Sequence, residues 1–220
     1  MAGVICLQGG NEFTPDCHAT DRAWLDRVAP GPTSVVPLAC AAGVEYRTAG
    51  HNGCEYLRGL GLDRVSVAPE PDLSLDTTVR EIVDAAIVVI PGGSPARIRR
   101  RVMGTAIGGA LRAHLNAGGT LVGASAGAMV LASVMMLPGT HLQVQSGLGM
   151  VRNALVLPHY VDGRRDMVDR LHALAGRDVT ILALPVCSGI IIDDEGMRAA
   201  GGKRCWRFRA DADDEQIPTV

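Results

Sequence analysis

The stretch Gly123-Ala124-Ser125-Ala126-Gly127 sets a serine between small neighbours in the pattern G-x-S-x-G. It follows the strand-like run Thr120-Leu121-Val122 and leads into Ala128 and further apolar residues to Leu137. That context predicts a strand turning sharply into a helix. Such a turn lifts the central side chain above the sheet in a strained conformation, and small neighbours permit the backbone crossing it needs. The first helical amides then point toward negative charge developing beside the hydroxyl. This is the equipment for nucleophilic attack on a carbonyl. The competing role is a plain strand-to-helix turn whose serine only caps the helix.

A serine hydroxyl is a poor nucleophile at neutral pH and needs a base. The chain offers His18, His51, His114, His141, His159 and His172. His114 and His172 fall inside helical patterns, His18 near the start of the first helix, and His51 in a polar, Gly-rich segment. Only His159 follows a clear apolar strand run, Ala154-Leu155-Val156-Leu157-Pro158, and so reaches the end of a sheet. An oxyanion hole requires two backbone donors. Ala126 supplies one candidate amide. Gly93 supplies the other, because Pro91-Gly92-Gly93 closes the apolar run Ala86–Ile90 and carries no side chain to obstruct a carbonyl.

These residues need a frame. Strand patterns at Val4–Leu7, Thr33–Leu38, Arg64–Val67, Ala86–Ile90, Thr120–Gly123, Ala154–Pro158 and Val179–Leu184 alternate with helical ones. The helices are expected at about 17–28, 43–60 (with Gly50 and Gly53 as possible breaks), 75–85, 95–116 and 164–174. Short buried strands alternating with helices predict an α/β fold: a three-layer, open, mostly parallel sheet with helices on both faces and a nucleophile elbow. Ser188–Ile192, the turn Asp193–Gly196 and Arg204–Arg209 read as a C-terminal antiparallel strand pair. Ligands of such sheets bind beyond the carboxyl ends of the strands. The loops at Gly9–Glu12, Gly92–Pro95, Ser125 and His159 are all expected there.

The chain has 220 residues, 47% apolar and 20% charged, which suits a single globular domain over residues 1–210. The acidic, polar segment 211–220 is expected to fray. Aromatics are only 3% against 27 glycines, so the core is expected to be built from Val, Ile, Leu and Ala. A net charge of −2 gives no electrostatic reason to expect nucleic acid or an anionic membrane as partner. The run Arg97, Arg99, Arg100, Arg101 reads as a solvated helix face. None of the six cysteines forms a CxxC pair, and most read as small buried hydrophobes. No basic segment leads into an apolar one at the N-terminus, and no run is long and apolar enough to span a bilayer, so cytoplasmic residence is expected. The Gly9-Gly10 pair lacks the further spaced glycines of a dinucleotide site, and no metal or cofactor is expected.

The sequence resembles the S51 peptidases, which include aspartyl dipeptidase and cyanophycinase, within the class I glutamine-amidotransferase-like superfamily. The resemblance rests on Gly9-Gly10-Asn11-Glu12-Phe13, Pro91-Gly92-Gly93, Gly123–Ala128, Pro158-His159-Tyr160, the helix ending in Arg170-Leu171, and Ser188-Gly189-Ile190. It implies a serine peptidase acting on small or unusual peptides without metal or cofactor. It also places the family's serine on Ser125, its histidine on His159 and its oxyanion amides on Gly93 and Ala126.

The third catalytic member departs from that pattern. Cyanophycinase-like relatives carry a Glu where this chain has Val186, and no Asp or Glu lies between Ser125 and His159. Three outcomes stay open. Glu12, Asp162 or Asp166 orients His159, with Glu12 first because its loop opens on the same crevice. A backbone carbonyl or neutral side chain does so instead. Or turnover is lost and the scaffold serves binding or regulation. Arg164 and Arg165, beside the histidine, are candidates to pair with a substrate carboxylate. The expected partner is a small peptide or amide substrate, with homodimerisation left open. Amidotransferase chemistry would need Cys at the elbow; only Cys187, near the expected histidine–acid region, keeps a thiol role in view.

Overall fold

In the computed structural model, which describes residues 3–220, the wholly apolar strand Ile87–Ile90 and its neighbour Thr120–Ala124 lie at the centre of a seven-stranded sheet. β1 (Val4–Gln8), β2 (Thr33–Val35), β3 (Val65–Val67), β4 (Ile87–Ile90) and β5 (Thr120–Ala124) run parallel in the order β1-β5-β4-β2-β3. β4 and β5 are buried along their whole length, as strands covered on both faces must be. On one face lie α1 (His18–Leu25) and α2 (Val44–Gly59), where Trp24 and Leu57 pack with Val35 and Val89. On the other lie α3 (Leu75–Asp84), α4 (Pro95–Val102), α5 (Ala106–Asn116) and α6 (Ala126–Leu131), where Ile82, Ile98, Leu111 and Val130 pack with Leu7, Val88 and Leu121. This is the expected parallel sheet with helices on both faces.

Two strands near the C-terminus, Ser188–Asp193 and Gly196–Gly201, complete this sheet antiparallel beside β1, and the other strands do not extend it. β6 (Ala132–Leu137), β7 (Gln143–Ser146), β8 (Val151–Pro158) and β9 (Thr180–Leu184) begin a second sheet. It is completed by two strands near the C-terminus, β12 (Trp206–Phe208) and β13 (Glu215–Gln216), in the order β13-β12-β9-β8-β6-β7. Val156, Leu182 and Leu184 join the core beneath the first sheet. The opposite face is covered by α7 (Arg165–Ala175), whose Val168 and Leu171 meet Leu155, Ile181 and Phe208. None of the described helices is long and apolar enough to cross a membrane.

Local differences from the sequence pattern have physical causes. The helical run at 95–116 is two helices, because Met103 is extended and Gly104 takes φ +69° before the Thr105 side chain accepts the Gly108 amide and starts α5. The apolar run after Ser125 changes from α6 to β6, a choice that periodicity leaves open and that pairing with β7 and β8 settles. α2 passes through Gly50 and Gly53 unbroken, with Val67 and Phe13 close against them.

The C-terminal antiparallel pair is present, but its second member is not 204–209. β10 (Ser188–Asp193) pairs with β11 (Gly196–Gly201), and β12 crosses to β9 of the other sheet. Nor does the segment 211–220 fray. Glu215 pairs with Arg207, Ile217 is fully buried, and Thr219 bridges to Ala199. One apolar side chain that fills the core outweighs the polar composition around it.

Candidate active site

Ser125 stands at φ +48°, ψ −112°, between the last residue of β5 and the first of α6. Backbone so placed costs about 1–3 kcal/mol and persists only where its surroundings over-determine it. Here the Ser125 amide donates to the Gln8 carbonyl at 2.9 Å and its carbonyl accepts from the Met129 amide at 3.0 Å. A β-carbon on Gly123 would lie 2.6 Å from the Gly127 carbonyl oxygen, and one on Gly127 would lie 2.1 Å from that of Ile90. Both flanking glycines are therefore required by packing, and the G-x-S-x-G pattern has a steric explanation.

His159 follows Pro158 at the carboxyl end of β8, so it comes from the second sheet while Ser125 comes from the first. The expectation that a single sheet edge supplies both is corrected. The two sheets are stitched together at this point by the His159 amide, which donates to the Gly9 carbonyl at 2.9 Å. His159 takes φ +54°, and its Nε2 stands 2.9 Å from Ser125 Oγ. The residues paired by sequence reading, 34 positions apart, thus meet at hydrogen-bonding distance, with the histidine exposed and the serine partly so.

Gly93 takes φ +137° and is exposed, and its loop is fixed by the Ser94 amide donating to the Ala39 carbonyl. Among the described residues, neither the Gly93 amide nor the Ala126 amide is taken by an acceptor. Those are the free donors an oxyanion hole needs.

The histidine's other ring nitrogen, Nδ1, has no acidic partner among the described residues. Glu12 does not orient His159. Its Oε1 accepts the Gly92 amide at 2.6 Å, which sets the carboxylate beside the elbow and the Gly93 loop. Asp162 accepts from Arg204 and from the Trp206 indole, and Asp166 from Arg164, a hydrogen bond that holds the Asp166 carboxyl below its usual range. Val186 lines a cleft of about 440 Å³ together with His159, Tyr160, Pro185, Lys203 and Arg204.

Arg164 and Arg165 do not line that cleft. Arg164 is engaged with Asp166, and Arg165 pairs with Asp169 and Asp214 over the Phe208 ring. The cations beside His159 are instead Arg204, held by Asp162, and Lys203, which makes no ion pair among the described residues. Sequence reading missed Lys203 because the hairpin that delivers it, β10–β11, was given the wrong second strand. Cys187 touches Cys17 and Asn11, not His159. A slightly larger cleft of about 490 Å³, lined by Arg97, Arg100, Arg101 and Asp72, contains neither Ser125 nor His159. No cluster of three or more His, Cys, Asp or Glu placed for a metal occurs among the described residues.

Among solved structures, a peptidase from an acI-B1 Actinobacterium superposes with a TM-score of 0.80 at 19% identity, over 100% of this chain and 95% of that one. A protein described as a peptidase E candidate from Listeria monocytogenes EGD-e superposes with a TM-score of 0.65 at 16% identity, over 92% of this chain and 100% of that one. These likenesses show a shared fold. No curated protein sequence matches the chain. Residues 25–199, which include both Ser125 and His159, match the model of peptidase family S51. That match spans well over half of the chain, and the chain belongs to peptidase family S51.

Proposed function

We propose that this peptidase is a serine enzyme working through a Ser125–His159 dyad on small peptides such as dipeptides. The single observation that carries the proposal is the 2.9 Å separation between Ser125 Oγ and His159 Nε2. His159 takes the serine proton as Oγ attacks the peptide carbonyl, and the Gly93 and Ala126 amides hold the resulting oxyanion. The protonated imidazole then donates to the leaving amine. Water, deprotonated by the same imidazole, releases the acyl group from Ser125. Glu12, its carboxylate fixed beside the elbow, receives the substrate's ammonium terminus, and Lys203 offers a charge to a substrate carboxylate. Six free cysteines suit a reducing compartment, which supports the cytoplasm as its place of action.

The second reading, a binding protein with little or no turnover, is favoured by one observation: Val186, not an acid, shares the cleft with His159. Imidazole without a carboxylate loses tautomer control and stabilisation of its cation. Steady-state hydrolysis of a panel of unblocked dipeptides and tripeptides separates the two. Turnover that disappears in Ser125→Ala supports the dyad; no turnover of any peptide, or equal turnover in Ser125→Ala, contradicts it.

A further inference from the structure

Two thiols beside the site take no part in the proposed hydrolysis. Cys17 closes the short 3-10 turn Pro15–Cys17 that leads into α1, and Cys187 sits in the loop between β9 and β10. They are 170 residues apart in the chain, yet their Sγ atoms stand 2.9 Å from each other. Cys17 is buried and Cys187 partly exposed. The Cys17 thiol donates to the Cys187 sulfur, and Asn11 Nδ2 donates to it at 3.3 Å. Cys187 holds φ +55°, pinned by its amide on the Gly10 carbonyl at 3.1 Å and by the Thr20 hydroxyl on its own carbonyl at 2.8 Å. The other thiols are set apart. Burial pushes Cys40 up to about 11 and Cys205 up to about 12, and it also raises Cys6 and Cys54.

We propose that Cys17 and Cys187 are a modification site, joined into a reversible disulfide by a small disulfide such as oxidised glutathione, and that this disulfide slows the peptidase. Cys187, the accessible sulfur, attacks first as its thiolate and expels one glutathione thiolate, leaving a mixed disulfide. Cys17 loses its proton to water and attacks the Cys187 sulfur, expelling the second glutathione. Two protein S–H bonds give way to one S–S bond. The protein loses two electrons and two protons, and the small disulfide is reduced to two thiols. Burial, with the hydrogen bond to Cys187, pushes the Cys17 thiol up to about 12, which fits it for the second step rather than the first.

The link to catalysis is short. A disulfide holds its sulfurs at about 2.05 Å, so the two must close by somewhat under an ångström. The loop carrying Cys187 also holds Gly10, and Gly10 lies against the ring of His159. A displacement of that order at a catalytic group costs on the order of a hundredfold in rate when fully transmitted. Partial transmission to His159 sets the expected loss at about tenfold in kcat. This effect on rate rests on the Ser125–His159 mechanism, whereas bond formation does not.

The test exposes wild type, Ser125→Ala, Cys17→Ala and Cys187→Ser to oxidised glutathione and reads intact mass, peptide mapping and dipeptide hydrolysis before and after a reductant. Wild type and Ser125→Ala should each lose two hydrogens through a mapped 17–187 disulfide. Cys17→Ala should stop at a glutathione adduct on Cys187, and Cys187→Ser should take up none. Wild-type turnover should fall about tenfold and return with the reductant, while Cys187→Ser keeps its rate. A stable adduct on wild-type Cys187 without closure, closure onto another cysteine, or a mapped 17–187 disulfide with unchanged kcat would each overturn the proposal. The mass readout in Ser125→Ala stands even if the serine mechanism fails, so the two failures are distinguishable.

Discussion

Gly10 lies directly against the imidazole of His159: a β-carbon at position 10 would sit 2.2 Å from Cε1 and 2.9 Å from both ring nitrogens. The glycine also holds φ +110°, where a side chain is strained whatever the space. The loop after β1 thus shapes the floor on which the proposed base, His159, rests. Replacing Gly10 by Ala should displace the ring, lengthen the bond to Ser125 Oγ, and lower kcat by about a hundredfold or more. Circular dichroism should show a folded protein. A Gly10→Ala enzyme with near-normal kcat would mean that the ring does not need this floor.

Glu12 engages the Gly92 amide rather than His159, so its expected role is in binding. Glu12→Gln should raise KM about tenfold for peptides with a free ammonium terminus, the loss of one charge-assisted hydrogen bond. It should leave KM for N-acetylated peptides unchanged. Steady-state kinetics on matched free and acetylated substrates decide the matter, and equal changes in both would reject an ammonium contact.

Val186 occupies the cleft wall beside a histidine that lacks an acid. Loss of the carboxylate from a serine triad costs about 10⁴-fold in kcat. Installing one by Val186→Glu should therefore raise kcat, by about ten- to a hundredfold if the new carboxylate reaches Nδ1. The limb of the pH–rate profile that reports imidazole protonation should move upward, because a nearby anion favours the charged ring. A faster enzyme with an unmoved profile would point to a different cause.

Acid should loosen the fold through two buried imidazoles. His114 (Nε2 3.0 Å from the Thr120 carbonyl oxygen) and His172, both of whose ring nitrogens are buried without a partner, are held below the ordinary histidine value of 6.5 by burial. Below pH 6.5 the unfolded chain takes up protons that the folded chain refuses, so stability falls as pH falls, from about 6.5 down to each folded pKa. Each histidine contributes at most about 1.4 kcal/mol per pH unit in that window. Urea unfolding at pH 7.5 and 5.5 should show a smaller loss in His172→Leu than in wild type. An equal loss would exclude His172 as a source.

The proposed nucleophile and base were legible because each carries a local signature: two glycines that packing demands around Ser125, and an apolar strand that stops at His159. The parallel core was legible for the same reason, since β4 is a short, wholly apolar run and β5 has a single polar residue, Thr120. The second sheet was not. Its order, β13-β12-β9-β8-β6-β7, depends on pairings between distant segments that leave no periodic mark. That same gap misplaced the partner of β10, hid Lys203, and left Arg164 and Arg165 as candidates although acidic neighbours occupy both. Ile217 shows the limit of composition: a mostly polar segment suggests a loose end, and a single buried side chain anchors it.

The most direct test of the account is covalent capture of the serine. Wild-type protein treated with a fluorophosphonate should gain one adduct per chain, mapped to Ser125. The labelling rate should fall by about 10² or more in His159→Asn, which keeps a polar side chain but not the base. A wild-type protein that stays unlabelled, or that labels equally fast without the imidazole, would contradict a nucleophile activated across the 2.9 Å contact.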